Sequence, residues 1–409
     1  MQRLWRLYKT PRVLALEKMI KAKTMEDKRV RYLRQREKQY TRTMYEAVFP
    51  EDSQKFVDYY YNWKTRDNEI VVMEGTEDFE SSFFQVMLHL NPYTLWINGK
   101  YQKLSYIVAV ATDPKFRRQG KMNQVMEYAL QDMGSRRVPF TFLLPADPAY
   151  YRGQGFVFFP CQGFDSTGKD KMLEAASAKA VYTKRGHLAK EFRWRQAQIP
   201  DISNMAFFSN RVLKQRCDIF IKRDCYYYQR LLAETEAEHG GVLLLEAKGR
   251  LFGLLTYAFT DYQYSNDTDH CYGESDCQGK VKAEIKELLV EASILQMDTE
   301  TFCRDAFSSI GIRDSEIKSM TFSDSQMMVR ITDLHTFVPL LQSEGNRSFY
   351  VKVTDSIIDS NCGCFEIQMT PDGGRIERIS EKSVQCEMDI ADLTRELLKD
   401  TSVYLNEWV

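Results

Sequence analysis

The residues best placed to do chemistry stand at 111–122, in the stretch ATDPKFRRQGKM. An apolar run, YIVAVA, enters this stretch, and a segment with helical spacing leaves it. Arg117, Arg118, Gln119 and Gly120 therefore occupy a strand-to-helix turn, and Lys121 and Met122 open the helix. In such a turn several backbone N–H groups point one way, toward the positive end of the helix dipole, and the arrangement binds phosphate without a metal. Two well-known phosphate loops do not fit the spacing. A P-loop needs glycine where Lys115 stands and serine or threonine where Met122 stands. A dinucleotide fingerprint needs three spaced glycines, and Gly120 stands alone.

The elements around the turn can be read from periodicity. Met122, Val125, Met126, Ala129, Leu130 and Met133 form one apolar stripe at helical spacing, and the spacing places the helix end at Gly134. Tyr106 to Ala111 reads as a strand buried on both faces, and PFTFLLPA as another. Upstream, VRYL is a strand candidate, EKQYTRTMYEAVF and QKFVDYYYNWK are helices, and Asp52 or Ser53 caps the second. Three strands follow in EIVVMEG, FFQVMLHLNPYTLWING and KLSYIVAVAT, with Asn98-Gly99 as a hairpin turn. In a second segment IFIKRDCYYYQRLLAETEAEHGG reads as helical in its middle and GVLLLEAKGRLFGLLTYAF as a hairpin around Lys248-Gly249, and the spacing of KAEIKELLVEASI predicts a further helix. No Arg-x-x-Gly turn joins these elements. A third segment, from near Met320, reads as a small α+β unit with a strand pair about Pro371 to Gly374. The class predicted for the chain is α+β, with mixed sheets flanked by helices.

Composition excludes several function classes. The 409 residues are 44% hydrophobic and 28% charged, and 56 basic side chains nearly balance 57 acidic ones. No overall field argues for nucleic acid or an anionic surface, and no apolar run approaches the ~18 residues of a membrane helix. Basic residues interrupt the apolar ones of MQRLWRLYKTPRVLALEKMI, so it lacks the h-region of a secretory signal, and a cytoplasmic protein is expected. Residues 1–28 read as a solvated basic extension; a basic amphipathic helix on a membrane or nucleic-acid surface is the alternative. Nine cysteines run from Cys161 to Cys386 with no Cys-x-x-Cys pair. The nearest groupings are Cys362 with Cys364, and Cys271 with Cys277 beside His270. They match no zinc pattern, so reduced structural thiols and no metal are expected. His89, alone in an apolar strand, reads as structural.

Strand, Arg-Arg-Gln-Gly loop, amphipathic helix, strand, then Tyr151-x-x-x-Gly155-Phe156 is an order that resembles the GNAT acetyltransferases. RVRYLRQREKQYTRTMYEAVFPEDSQKFVDYYYNWKTRDNEI, MLHLNPYTL, YIVAVATDPKFRRQGKM and FTFLLPADPAYY further resemble the Eis-like (enhanced intracellular survival) subfamily, in its Firmicute-type members. The resemblance implies a catalytic GNAT domain over 29–162, a second GNAT-like domain without the cofactor loop over 163–312, and a sterol carrier protein type 2-like domain over 313–409. Residues 1–28 have no counterpart in it. It further implies acetyl-CoA as co-substrate. The pyrophosphate would lie on Arg117, Arg118, Gln119, Gly120, Lys121 and Met122, and the pantetheine arm along the backbone of Val108, Val110 and Ala111. Tyr151 would protonate the leaving thiolate, whose ordinary pKa is ~8.5. The terminal carboxylate, here on Val409, would take the proton of the acceptor amine, although the family's last residue is often aromatic. Phe49, Glu51, Asp52 and Glu407 would line the acceptor pocket, and Asp52 and Glu51 also read as helix-capping residues. Polyamines, aminoglycoside-like amines and lysine side chains are the acceptors the resemblance offers, and a homo-oligomer, hexameric, is its assembly. The rival from another class is a carrier protein that uses the C-terminal domain for an apolar ligand.

Overall fold

The computed structural model describes residues 30–75, 84–160, 191–260, 281–291, 299–323 and 326–407. The basic extension over 1–28, Cys161, His270, Cys271, Cys277, Trp408 and Val409 lie outside those residues.

The chain opens with β1 (Val30–Tyr32), α1 (Arg42–Val48) and α2 (Gln54–Trp63). Ser53 caps α2, its hydroxyl accepting from the Phe56 N–H at 3.1 Å, whereas Asp52 accepts from the Tyr45 phenol at 2.8 Å. β2 (Glu69–Glu74), β3 (Phe84–Ile97) and β4 (Lys100–Thr112) form an antiparallel meander. Its tight turn is Asn98-Gly99, with φ of +44° and +90°, the left-handed pair that a two-residue hairpin requires. α3 (Lys121–Ser135) buries Val125, Met126, Ala129, Leu130 and Met133, the expected stripe. β5 (Phe140–Leu143), α4 (Ala149–Arg152) and β6 (Val157–Phe158) follow.

Gly134 does not end α3, which runs on to Ser135, and the left-handed residue is Arg137 at φ +58°. Gly134 instead permits a close approach. A Cβ there would stand 3.0 Å from Ile358 Cγ2 and 3.1 Å from the Thr332 carbonyl oxygen.

The next stretch holds β7 (Arg193–Gln196), α5 (Ile202–Lys214), β8 (Ile219–Ile221), α6 (Cys225–Ala237), β9 (Gly241–Ala247), β10 (Arg250–Thr260) and β11 (Val281–Val290). α7 (Thr299–Ser308) and β12 (Ile317–Phe322) complete it. The β9–β10 hairpin turns at Lys248-Gly249 as predicted. The helix expected in KAEIKELLVEASI is instead the strand β11, paired with β10 on one side and β12 on the other. Lys286 and Glu287 are both buried there, Lys286 on Glu238 and Glu287 on Arg223 at 2.8 Å. Val281, Ala283 and Ile285 alternate with charged residues, but the register slips opposite Thr256 and Tyr257, and the buried, paired Lys286 and Glu287 break the alternation in the second half of the strand.

The last stretch contains β13 (Met328–Ile331), α8 (Leu334–Phe337), β14 (Arg347–Thr354), β15 (Gly363–Thr370), β16 (Gly373–Arg378), β17 (Cys386–Asp389), α9 (Ile390–Leu398) and β18 (Val403–Tyr404). Its own sheet runs β16-β15-β14-β17, and a second sheet runs β12-β11-β10-β9-β7. The first sheet runs β1-β2-β3-β4-β5-β13-β6, with β8 on the far end of β3 and β18 on β8. This is the mixed α+β class expected. β12 belongs to the second sheet and β13 to the first. β5 and β6 are joined through β13, which lies between them and comes from the last stretch of the chain.

Replacing Gly134 by alanine raises helix propensity by ~1 kcal/mol but forces a methyl group against strand backbone, an overpacking cost of ~1–3 kcal/mol. Gly134→Ala is expected to destabilise the chain by about 1 kcal/mol in urea denaturation; a gain in stability would show that α3 is free to shift.

Candidate active site

β4 and β5 pair in parallel at two positions, Tyr106 with Phe142 and Ile107 with Leu143. β5 then ends while β4 continues to Thr112. Along Val108, Val110 and Ala111, the edge of β4 that faced β5 therefore has no strand beside it among the described residues. The register between β3 and β4 slips between Met87 and His89, and Ala109 adopts φ +49°. Such a bulge bends and twists a strand, turning its edge away from the neighbour it leaves. The last part of β4 thus runs past the end of β5 without a strand partner on that edge among the described residues.

The arginine-rich turn follows β4. The Asp113 carboxylate accepts from the Lys115 N–H at 2.9 Å and starts a short 3-10 turn at Pro114–Phe116. Arg118 then takes φ +60°, and Gly120, the residue before α3, takes φ +72°. A Cβ on Gly120 would meet nothing within 4 Å, so glycine serves the backbone conformation there and not a shortage of space. No side chain caps α3, and its first turn carries no acid, so its leading N–H groups face outward. Arg117, Arg118 and Gln119 are exposed. Arg117 Nε donates to the Thr112 carbonyl at 3.3 Å and Gln119 Nε2 to the Lys115 carbonyl at 3.2 Å. Among the described residues neither arginine meets a carboxylate. Lys121 turns inward: its Nζ donates to Gln85 Oε1 at 2.6 Å and lies 5.0 Å from the Phe116 ring centroid. Met122 packs against the core under α3. Two unpaired guanidinium groups beside uncapped helix N–H groups form a donor set that fits a pyrophosphate.

Tyr151 sits in the short helix α4 and is 6% exposed, while Tyr150 beside it is 59% exposed. The two adjacent tyrosines are thus separated by their environments. Tyr151 packs edge-on to Phe156 at 5.9 Å. Burial, with Tyr150 nearby, pushes its phenol up to about 12, so it holds its proton through neutral pH.

The proposed acceptor residues divide into two groups. Phe49 packs against Tyr45 with tilted rings, centroids 4.9 Å apart, Glu51 is exposed, and Asp52 is half-buried with its pKa raised by burial. Glu407 is turned inward, accepting from the Tyr93 phenol at 2.6 Å and from Arg223 Nη1 at 3.3 Å. Burial raises its pKa against the opposing pull of Lys64 and Arg223. Arg223 is fully buried between Glu407 and Glu287, and Glu287 is also hydrogen-bonded by Tyr404 and Asn406. Tyr93, Arg223 and Glu287 carry no motif and escape sequence reasoning; a lone arginine in IFIKRD, next to an apolar strand, was the available signal. His89 is fully buried on the Tyr60 phenol at 3.0 Å, and burial, with Lys38 adding, pushes its pKa down to about 3. A neutral core histidine, as read from sequence, is what the strand holds.

Residues 29–159 match the family described as Acetyltransferase (GNAT) domain. The first unit is thus a GNAT acetyltransferase domain, and the chain is an enzyme of the acyltransferase class. Solved structures share the fold over most of the chain. One is a conserved protein of unknown function from Enterococcus faecalis V583, described as a probable N-acyltransferase, with a TM-score of 0.61, 14% identity, and 90% of this chain and 88% of that one covered. Another is a GCN5-related N-acetyltransferase from Kribbella flavida, with a TM-score of 0.60, 14% identity, and 93% and 98% covered. Eis1 from Mycobacterium abscessus matches with a TM-score of 0.54, 10% identity, and 90% and 89% covered. At these identities the likeness is one of fold. No curated protein is significantly similar to the chain in sequence.

Removing one acid from the buried Arg223 cluster leaves a guanidinium under-compensated. Glu407→Ala is expected to cost about 3 kcal/mol in denaturant unfolding, and Glu407→Gln, which keeps an acceptor for Tyr93, distinctly less. Equal losses for the two variants would show that the charge of Glu407 is not what Arg223 uses.

Proposed function

We propose that this chain is an acetyl-CoA-dependent N-acetyltransferase of the Eis-like kind, moving an acetyl group to a primary amine within a ternary complex. The observation that carries the reading is the parting of β4 from β5 just before the Arg117–Gly120 turn, with the buried ring of Tyr151 in the same apolar cluster as Ile107, Leu143 and the α3 stripe. The α3 N–H groups with Arg117 and Arg118 would hold the pyrophosphate, and the open edge of β4 at Val108, Val110 and Ala111 the pantetheine amides. Bound acetyl-CoA supplies a thioester carbonyl to be attacked. Tyr151 gives its proton to the sulfur as the C–S bond breaks and the amine nitrogen bonds the acetyl carbon. The carboxylate of Val409 takes the proton that the amine loses. Small cationic amines, aminoglycoside-like compounds and lysine side chains are the acceptors in view.

The wider organisation belongs to the same proposal: a catalytic unit over 29–162, a second GNAT-like unit over 163–312 and a sterol-carrier-like unit over 313–409, working as a homo-oligomer in the cytoplasm. Among the described residues no helix is long and apolar enough to cross a membrane. None of their His, Cys, Asp or Glu side chains form a metal-binding group.

Calorimetric titration of the full chain with acetyl-CoA tests the reading without an acceptor. Saturable binding of about one per chain is expected, and Arg118→Ala should weaken it about tenfold, the value of one charge-assisted hydrogen bond. Absence of binding at millimolar ligand would overturn the enzyme reading in favour of the carrier. Tyr151→Phe should leave acetyl-CoA affinity unchanged and lower turnover by roughly 10². Because the folded phenol holds its proton, the pH–rate profile should show no fall from Tyr151 until pH nears about 12. A descending limb near the ordinary ~10 of a phenol, lost in Tyr151→Phe, would contradict its burial.

A further inference from the structure

β13 brings one charged side chain into the first sheet. Arg330 is fully buried within the otherwise apolar strand MVRI. A guanidinium removed from water needs its donors met, and here three segments meet them. Nη2 donates to Asp355 Oδ1 at 2.6 Å, Nη1 to the Ile331 carbonyl, and Nε to the Gln154 carbonyl at 2.8 Å. Asp355 is itself fixed. Its Oδ1 accepts from the Ile357 and Ile358 N–H groups at 3.0 and 3.1 Å, and its Oδ2 from Asn361 Nδ2 at 2.9 Å.

Gln154 joins the two halves of the site. Its N–H donates to the Tyr151 carbonyl at 3.0 Å. Its side-chain Nε2 donates to Asn123 Oδ1 at 2.9 Å, in the first turn of α3. The following Gly155 has φ +82°, and a Cβ there would stand 3.0 Å from both Arg330 Nε and Ile390 Cγ2. The turn after Tyr151 is therefore shaped against Arg330 on one side and α9 on the other.

We propose that Arg330, held by Asp355, is a positioning residue for Tyr151: it clamps the Gln154 carbonyl and so fixes α4 relative to the arginine-rich turn. The inference rests on the reading of Tyr151 as proton donor. A buried ion pair is a poor source of stability compared with apolar packing. What the guanidinium supplies, and a methionine would not, is a donor for a carbonyl in the turn between α4 and β6. Through it the C-terminal part of the chain sets where the acid of the N-terminal domain sits.

The test replaces both charges together, Arg330→Met with Asp355→Leu, so that neither is left alone, in the full-length chain. Hydrogen–deuterium exchange should show several-fold faster uptake over 149–156, with uptake over 84–112 unchanged. Acetyl-CoA affinity by calorimetry should stay near the parent's. With spermidine as probe amine, kcat should fall roughly tenfold to a hundredfold, the scale of a small misplacement of a catalytic group, while KM holds. Combined with Tyr151→Phe, the loss should not exceed that of Tyr151→Phe alone, because both changes remove the same contribution. Arg330→Lys, which keeps the charge but not the three-way fork, should fall between and serves if the double variant does not fold.

Unchanged uptake over 149–156 would overturn the clamp. Faster uptake with losses that multiply with Tyr151→Phe would overturn its action through Tyr151. If the parent does not acetylate spermidine, or Tyr151→Phe keeps full turnover, it is the reading of that reaction or of Tyr151 that falls. Uptake then still decides whether Arg330 holds the turn.

Discussion

The rest of the structure depends on the pairing of β5 with β13. β5 has four residues, and its parallel partner β4 leaves it after two. A strand so short, with one edge half-open, is secured by its other edge. β13 pairs antiparallel with all four residues of β5 and then with β6, which would otherwise be detached. The parting of β5 from β4 on one edge is thus compensated by closure on the other edge. The matched acetyltransferase domain ends at residue 159, before the strand that its own sheet needs. Sequence separations of this size make the sheet late to complete, because loop-closure entropy must be met before the contacts that offset it form.

Charge is distributed by the same logic. At the arginine-rich turn the guanidinium groups are exposed and unpaired with acids, the state in which an anion can displace water from them. Elsewhere the charged groups are buried and matched: Arg223 with Glu287 and Glu407, Lys64 with Glu234, Lys286 with Glu238, and Arg330 with Asp355. Polar contacts of this kind contribute little net stability but tolerate little displacement, so they fix the relation of one element to another. The tail shows the effect. β18 pairs with β8, and Tyr404, Asn406 and Glu407 all converge on the Arg223–Glu287 pair. The last described residues are thereby anchored by the second unit against the first.

Several features followed from local sequence because their causes are local. The stripe of α3, the Asn98-Gly99 turn, the Ser53 cap and the strand-to-helix turn at Arg117–Gly120 each depend on side chains within a few residues. The same holds for the choice of Tyr151 over Tyr150, which rests on its distance from Gly155. β11 was misread for the opposite reason: its buried lysine and glutamate are neutralised by Glu238 and Arg223, which lie far away in sequence. Gly134 was misread because the groups that exclude a Cβ there, Thr332 and Ile358, belong to the last third of the chain.

The sequence by itself determined the α+β class, the strand-to-helix turn at Arg117–Gly120 and the α3 stripe, since periodicity, a left-handed glycine and residue spacing are encoded within short windows. Only the tertiary structure decided that a strand from near residue 330 completes the first sheet, that Glu407 is held by Tyr93 and Arg223, and that Gln154 is gripped by a buried arginine. Those outcomes depend on which distant groups can satisfy a buried charge or an unpaired strand edge, and no local pattern records such a partner.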